Sequence, residues 1–173
     1  MNPRLQFALP SIACAGLLGF GFFLQYGNGL EPCPLCLVQR ALFLLVLLVF
    51  AAAAIHDPAR PGRILYSGFG FLFALGGMAV AGRQVLLQHL PADQVPACGP
   101  DLFFMLENLP LTRTLEKLFK GSGQCAVVDW TFLGLSIAEW SLAWFVGLAL
   151  YALWLAFTAR RPADGKAAAA APR

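Results

Sequence analysis

Four apolar stretches, each about as long as a helix that crosses a lipid bilayer, constrain this chain more than any other feature. A helix needs roughly 20 apolar residues to span the hydrocarbon core of a membrane, and the chain of 173 residues is 59% hydrophobic and only 12% charged. Lipid offers no partners for backbone hydrogen bonds, and the stretches lack the alternating pattern of barrel strands, so each is predicted to be helical. The sequence therefore predicts an all-α membrane protein, a four-transmembrane-helix bundle with helices over about residues 5–26, 34–55, 64–87 and 140–159.

The first apolar stretch has a competing interpretation as a cleaved signal peptide. Arg4 precedes it, and Ala13-Cys14-Ala15 is similar to a small-residue cleavage site. The apolar run continues beyond that site from Phe20 to Leu24, which is longer than the core of a signal peptide requires. We therefore interpret this stretch as a retained helix.

Basic residues lie mainly on one side of the predicted helices. Arg4, the segment 60–63 and the residues from Arg160 onward share that side, whereas the opposite short loop carries only Glu31. Because Lys and Arg in short loops remain cytoplasmic, both termini are predicted to face the cytoplasm. The net charge of +3 is spread along the chain and does not indicate a nucleic acid partner.

The chain is predicted to form one transmembrane domain over residues 1–161, with periplasmic loops at about 27–33 and 88–139. The alanine-rich residues 162–173 have no periodic apolar face and are predicted to form a disordered cytoplasmic tail. Within the long loop, residues 102–120 place leucines at helical spacing. This spacing predicts a short interfacial helix, which either lies on the membrane surface or packs against the bundle.

Five cysteines are distributed unevenly. Cys33 and Cys36 lie at one outer loop, Cys98 and Cys125 lie in the other, and Cys14 lies within the first helix. Disulfides persist in the predicted outer compartment, so two disulfide pairs are the natural inference. A zinc site is disfavoured because Cys98 and Cys125 stand 27 positions apart and do not form a second close pair. A buried thiol such as Cys14 is usually inert, so we exclude it from the chemistry.

The Cys33-x-x-Cys36 pair indicates redox chemistry instead of a structural staple. A bond between cysteines three positions apart closes almost no loop and restrains the chain little, whereas a bond between Cys98 and Cys125 would fit a staple. The close spacing is characteristic of reversible dithiol chemistry. The pair opens the second helix with Pro34 in its first turn, where the unpaired N–H groups favour a thiolate.

Arg40 lies one helical turn beyond Cys36 and on the same face. Its guanidinium either extends toward the lipid headgroups or stabilises a thiolate and the negative charge that develops on a reduced quinone. The sequence contains no Rossmann fingerprint or flavin-like glycine motif. By elimination, a quinone dissolved in the membrane is the acceptor most compatible with the chain.

Two segments form a specific combined motif. The first is PCPLCLVQR over residues 32–40, and the second is CAVVDWTFLGLSI over residues 125–137, with Cys98 between them. Together they resemble the DsbB family of disulfide bond formation proteins, and the likeness extends to about Arg161. The resemblance implies a quinone-dependent disulfide-generating oxidoreductase that reoxidises a periplasmic DsbA-type thiol oxidase.

The resemblance also implies roles for individual cysteines. Cys98 and Cys125 would form a disulfide, and Cys98 would make the mixed disulfide with the DsbA-like partner. Electrons would then pass to Cys33 and Cys36, and from there to ubiquinone or menaquinone.

Four residues match, or lie near, the positions that contact the quinone in this family. Cys36 and Arg40 match directly. Trp130 falls in the loop that approaches the quinone, although an aromatic anchor at the membrane interface would also explain it. Gln84 stands where some members have a histidine near the quinone. The resemblance implies no metal.

Two other functions are compatible with the sequence. One is a paralogue with the same chemistry that serves a single secreted partner, and the other is a non-catalytic membrane scaffold stapled by disulfides. Quinone reduction by the purified protein distinguishes the scaffold from the oxidoreductase.

Overall fold

The structure, a computed structural model, describes residues 2–91, 94–95, 110 and 123–160. Four of its helices are long and apolar enough to cross a membrane, which confirms the predicted fold class of a four-helix membrane bundle. In chain order, the described elements are α1 (Pro3–Asn28), α2 (Pro34–His56), α3 (Arg60–Gln88), a 3₁₀ turn (Gly123–Cys125), β1 (Thr131–Phe132), β2 (Leu135–Ser136) and α4 (Ile137–Arg160).

Some predicted segments lie outside the described residues. Apart from Pro110, this applies to the surface helix expected within 102–120 and to the tail expected at 162–173. The largest difference in helix bounds is at α3, which begins at Arg60 instead of residue 64. Proline is well suited to a first helical turn, where its missing N–H has no partner to lose, and Pro61 occupies that turn here.

Prolines and left-handed residues define where the helices begin and end. Before α1, the side chain of Asn2 accepts a hydrogen bond of 3.2 Å from the N–H of Arg4, and Pro3 follows directly as the first helical residue. Gly29 ends α1 with a φ of 68°, and Asp57 ends α2 with a φ of 44°. The connections from α1 to α2 and from α2 to α3 are short, so these helices are antiparallel neighbours.

The most extensive packing between described helices joins α3 to α4. Phe43 of α2 and Phe145 of α4 stack in the core with their ring centroids 3.9 Å apart and their planes 12° apart. Gly77 of α3 faces this stack, and a Cβ atom at that position would overlap the Phe145 ring. Small residues let membrane helices approach closely, so the contact between α3 and α4 depends on Gly77.

The outward surface of the bundle is apolar. Ile12, Leu48, Leu72 and Leu150, one from each long helix, are each between 53% and 66% exposed. Soluble monomers rarely leave such a continuous apolar surface in water. The surface is therefore suited to contact with lipid chains.

Charged side chains mark one end of the bundle. Arg4 Nε lies 3.2 Å from Asp57 Oδ2, and Arg63 Nη2 lies 4.0 Å from Asp57 Oδ1. These residues bring together the start of α1 and the turn between α2 and α3, and α4 ends at Arg160 on the same side. The start of α2, with its cysteine pair, lies at the opposite end.

A β-hairpin that the sequence analysis did not predict precedes α4. Leu133 and Gly134 form its turn with φ values of 52° and 80°, as in a type I′ hairpin. Ser136 then caps α4, since its Oγ accepts from the N–H of Glu139 at 3.3 Å and the Glu139 carboxylate accepts from the N–H of Ser136 at 2.7 Å. The hairpin is therefore continuous with the first turn of α4.

Gly77→Ala is expected to lower the unfolding temperature of the detergent-solubilised protein, because the added methyl group overlaps the Phe145 ring. Overpacking of this kind costs about 1–3 kcal/mol. Gly76→Ala is the matched control, since its Cβ would meet Leu42 at an ordinary contact distance of 3.5 Å. Equal unfolding temperatures for the two variants would contradict the proposed packing.

Candidate active site

Cys33 and Cys36 are brought together by the start of α2. Cys33 is the N-cap residue, Pro34 follows as the first helical residue, and the N–H of Cys36 donates to Cys33 Sγ at 3.3 Å. The two sulfurs lie 2.9 Å apart and are not bonded. The helix start thus holds the two thiols in a position from which they can form a disulfide.

Cys125 is the third of the predicted redox cysteines that the structure describes. It ends the 3₁₀ turn, is fully buried, and lies within hydrogen-bonding contact of the Cys33 sulfur. This contact with Cys125, a second contact with Cys36, and burial raise the pKa of Cys33. Cys98 lies outside the described residues.

Gln84 of α3 contacts both sulfurs of the pair. Its Nε2 lies 3.2 Å from Cys36 Sγ and 3.5 Å from Cys33 Sγ. Its Oε1 accepts a hydrogen bond of 2.6 Å from Nε2 of Gln39 on α2. Sequence reasoning did not assign Gln39 a role, although a polar side chain in a membrane span is by default a functional candidate.

Arg40 is directed toward α1. One guanidinium nitrogen donates to the side-chain oxygen of Gln25, another donates to the carbonyl oxygen of Gly21 at 2.8 Å, and the group lies 5.2 Å from the centroid of the Phe22 ring. The ion pairs among the described residues do not include Arg40. Its positive charge is therefore held by neutral groups. Gln25 was also missed, because no local pattern links a residue of α1 to one of α2.

A cavity of about 580 Å³ lies beside these groups. The predicted residues Cys33, Cys36, Arg40, Gln84 and Trp130 all line it. The remainder of its wall is largely apolar and comes from α1, α2, the hairpin and the start of α4, including Leu17, Phe20, Leu24, Phe43, Phe132 and Trp144.

Trp130 lies in an aromatic cluster at this cavity. Its ring centroid is 5.6 Å from that of Phe20 in an edge-on arrangement and 6.0 Å from that of Phe132 in a stacked one. Phe132 in turn lies 6.1 Å from Trp140, whose indole N–H donates to the Phe132 carbonyl oxygen at 3.0 Å. The hairpin therefore fixes the position of Trp130.

Cys14 lies apart from this site. It is fully buried in the main hydrophobic core and does not line the cavity. Within the described part of the chain, no group of three or more His, Cys, Asp or Glu side chains is arranged to hold a metal ion.

A dithiol in contact with a third cysteine, beside an apolar cavity in a four-helix membrane bundle, defines a membrane thiol–disulfide oxidoreductase. Comparison with known proteins supports this class. The family model described as "Disulfide bond formation protein DsbB" matches residues 3–155. A disulfide bond formation protein B of Hahella chejuensis is 52% identical over 162 residues, which cover 94% of this chain and 97% of that protein. One of Methylococcus capsulatus is 49% identical, over 92% and 98% of the two chains.

The chain therefore belongs to the DsbB family of disulfide bond formation proteins. This confirms the resemblance seen in the sequence and the class of enzyme, which in this family is a quinone-dependent protein-disulfide oxidoreductase. Four candidate membrane spans agree with that assignment.

A chain in which only Cys33 and Cys125 remain is expected to form an intramolecular disulfide under mild oxidation, because the two sulfurs are in contact. Cys14, Cys36 and Cys98 are replaced by alanine, and the bond is detected by mass spectrometry of proteolytic peptides. The matched control keeps only Cys14 and Cys125 and should stay reduced, since Cys14 lies in the core. A Cys33/Cys125 chain that stays reduced would show that the contact does not form.

Proposed function

We propose that this chain passes electron pairs from a periplasmic DsbA-like thiol oxidase, through Cys98/Cys125 and Cys33/Cys36, to ubiquinone or menaquinone in the cavity. One observation carries the proposal. Cys36 lines an apolar cavity together with the cation Arg40, while Cys33, three residues earlier, is in contact with Cys125. The Cys33/Cys36 pair thus lies between Cys125, with which it can exchange a disulfide, and a cavity suited to an apolar electron acceptor.

The chemistry of the cavity wall suits a quinone. Its size falls within the range of small-molecule sites, about 300–1,000 Å³, and aromatic and aliphatic side chains form most of the wall. A quinone bound there accepts two electrons and two protons and leaves as the hydroquinone. Trp130 is proposed to flank its ring, and Gln84 lines the same cavity as a further candidate contact.

The thiol exchange steps conserve atoms and electrons. A thiolate of the partner attacks Cys98 in the Cys98–Cys125 disulfide, and closure of the partner's own disulfide leaves Cys98 and Cys125 reduced. These two cysteines then exchange with the Cys33–Cys36 disulfide, so that their own disulfide re-forms and Cys33 and Cys36 become the dithiol. The dithiol gives up two electrons and two protons to the acceptor and closes again.

Arg40 is proposed to stabilise negative charge at the acceptor and at the Cys36 sulfur. Its hydrogen-bond partners, Gln25 and the Gly21 carbonyl, are neutral, and the ion pairs of the described residues do not include it. A cation in a site of low dielectric attracts developing negative charge strongly. The two hydrogen bonds to α1 keep the guanidinium at the cavity wall, so it does not extend freely toward the headgroups.

The same arrangement suggests the orientation in the membrane. Arg4, Arg63 and Arg160 lie at the end of the bundle opposite the cysteine pair. Short loops rich in Lys and Arg stay in the cytoplasm. We therefore place both termini in the cytoplasm of a bacterium and the redox loops in the periplasm, with the helices in the inner membrane.

The detergent-purified protein is expected to reduce a soluble ubiquinone analogue when it is given reduced DsbA, as measured by the loss of quinone absorbance. Cys33→Ser and Cys36→Ser should each abolish turnover, because neither leaves a dithiol beside the cavity. Cys14→Ser is the matched control and should retain turnover, since Cys14 lies in the core. Absence of turnover in the unsubstituted protein would favour the scaffold instead.

Arg40→Ala is expected to raise the KM for the quinone analogue by about 10- to 100-fold, the range expected when a hydrogen bond to a charged group is lost. Arg40→Lys keeps the charge and should recover part of this loss. Both variants are compared at saturating reduced DsbA, so that only the quinone step is limiting. An unchanged KM in Arg40→Ala would remove Arg40 from the quinone site.

A further inference from the structure

Two buried amides lie against the cysteine pair. Gln39 and Gln84 are each only 3% exposed, and Gln39 Nε2 donates to Gln84 Oε1 at 2.6 Å. The other end of the Gln84 amide, Nε2, lies 3.2 Å from Cys36 Sγ. The three groups form a chain from α2 to α3 and back to the sulfur at the start of α2.

This chain of contacts selects which end of the Gln84 amide faces the sulfur. A glutamine side chain carries an acceptor and a donor of nearly equal size, and the network around it decides how it turns. Gln39 donates to Oε1 of Gln84, and Nε2 is the end of the Gln84 amide nearer to the Cys36 sulfur, at 3.2 Å against 3.7 Å for Oε1. Without Gln39, the amide would have no partner that distinguishes its two ends.

Buried amides in a membrane span are costly unless they are hydrogen-bonded. A nonpolar pair at these positions would avoid that cost, so the presence of two amides beside a reactive sulfur indicates a role beyond packing. A neutral N–H donor stabilises a thiolate through a charge-assisted hydrogen bond, which is stronger than the bond it makes to a thiol.

We infer that Gln84 donates a hydrogen bond to the thiolate of Cys36, and that Gln39 is a positioning residue that holds the Gln84 amide in the donating orientation. This deepens the proposed function, because Cys36 is the sulfur which that function places at the acceptor. Gln84 is then a catalytic residue that acts directly on the Cys36 sulfur. It acts as a neutral hydrogen-bond donor, so its effect does not require Gln84 itself to gain or lose a proton.

Other titratable or charged groups near Cys36 need to be controlled in any test. They are Cys33 on the same helix end, Cys125 from the 3₁₀ turn, Arg40 one turn further along α2, and two carboxylates that line the same cavity, Glu31 before α2 and Asp129 before β1. All variants are therefore made in one parent protein, so that these positions are identical in every protein compared.

The test measures how fast Cys36 reacts with iodoacetamide between pH 5 and pH 10. The full-length protein in detergent carries Cys36 as its single cysteine, with the other four replaced by serine, and the assay contains neither quinone nor partner. Gln84→Leu is expected to slow alkylation by about tenfold on the acidic side of the profile, equivalent to one pH unit. The rates should converge at alkaline pH, where every chain carries the thiolate.

Gln39→Leu should slow alkylation in the same pH range, but by less. The double variant Gln39→Leu/Gln84→Leu should be no slower than Gln84→Leu alone, because Gln39 acts only through Gln84. Gln88→Leu is the matched control on the next turn of α3, since Gln88 accepts from Ser136 Oγ at 2.8 Å and contacts neither sulfur. Its profile should match that of the unsubstituted background.

Three results would overturn the inference. The first is an alkylation rate at acidic pH that Gln84→Leu does not change, and the second is additive effects of Gln39→Leu and Gln84→Leu on that rate. The third is a slower alkylation at every pH, which would reflect altered access to Cys36. If Gln84→Leu does not fold, Gln84→Glu keeps the shape of the side chain and replaces the donor with a carboxylate. It should also slow alkylation near neutral pH, and an unchanged rate would again refute the role of Gln84. Failure of the proposed function, in contrast, would appear as absent quinone turnover and would leave these profiles unaffected.

Discussion

The absence of hydrogen-bonding partners in lipid is the constraint on which the rest of this structure depends. It forces the four apolar stretches to satisfy their backbone groups within helices, and it confines irregular backbone to the ends of the bundle. At one end this is the three-residue turn before α3, and at the other it is the connection before α2 together with the 3₁₀ turn and the hairpin. The described cysteines of the redox site all lie at that second end, where the backbone is free to bring separate segments together.

Polar side chains within the spans follow the same constraint. Arg40 is bound to Gln25 and to a carbonyl of α1, and Gln39 is bound to Gln84. Arg40, Gln39 and Gln84 therefore each have a partner on a neighbouring helix, which offsets the cost of their removal from water. Next to Cys36, Arg40 therefore supplies a fixed positive charge, and the two amides do not change protonation.

The sequence predicted the four helices, the cysteine pair and Arg40 because each leaves a local mark: an apolar run, a spacing of three, or a charge one turn further along. It did not predict the link between Gln39 and Gln84, since that bond joins residues 45 positions apart on different helices. The hairpin was missed for another reason. Its strands are two residues each, too short to show an alternating pattern, and only Gly134 marks the turn.

The contact between Cys33 and Cys125 has a kinetic consequence. Both sulfurs belong to one chain, so the exchange proposed between them is intramolecular and proceeds at an effective concentration that does not change when the protein is diluted. In the proposed path, the encounters with the soluble partner and with the quinone are the bimolecular steps. The abundance of that partner therefore governs how often electrons enter the chain, whereas the transfer from the loop to the start of α2 has a rate set by the fold itself.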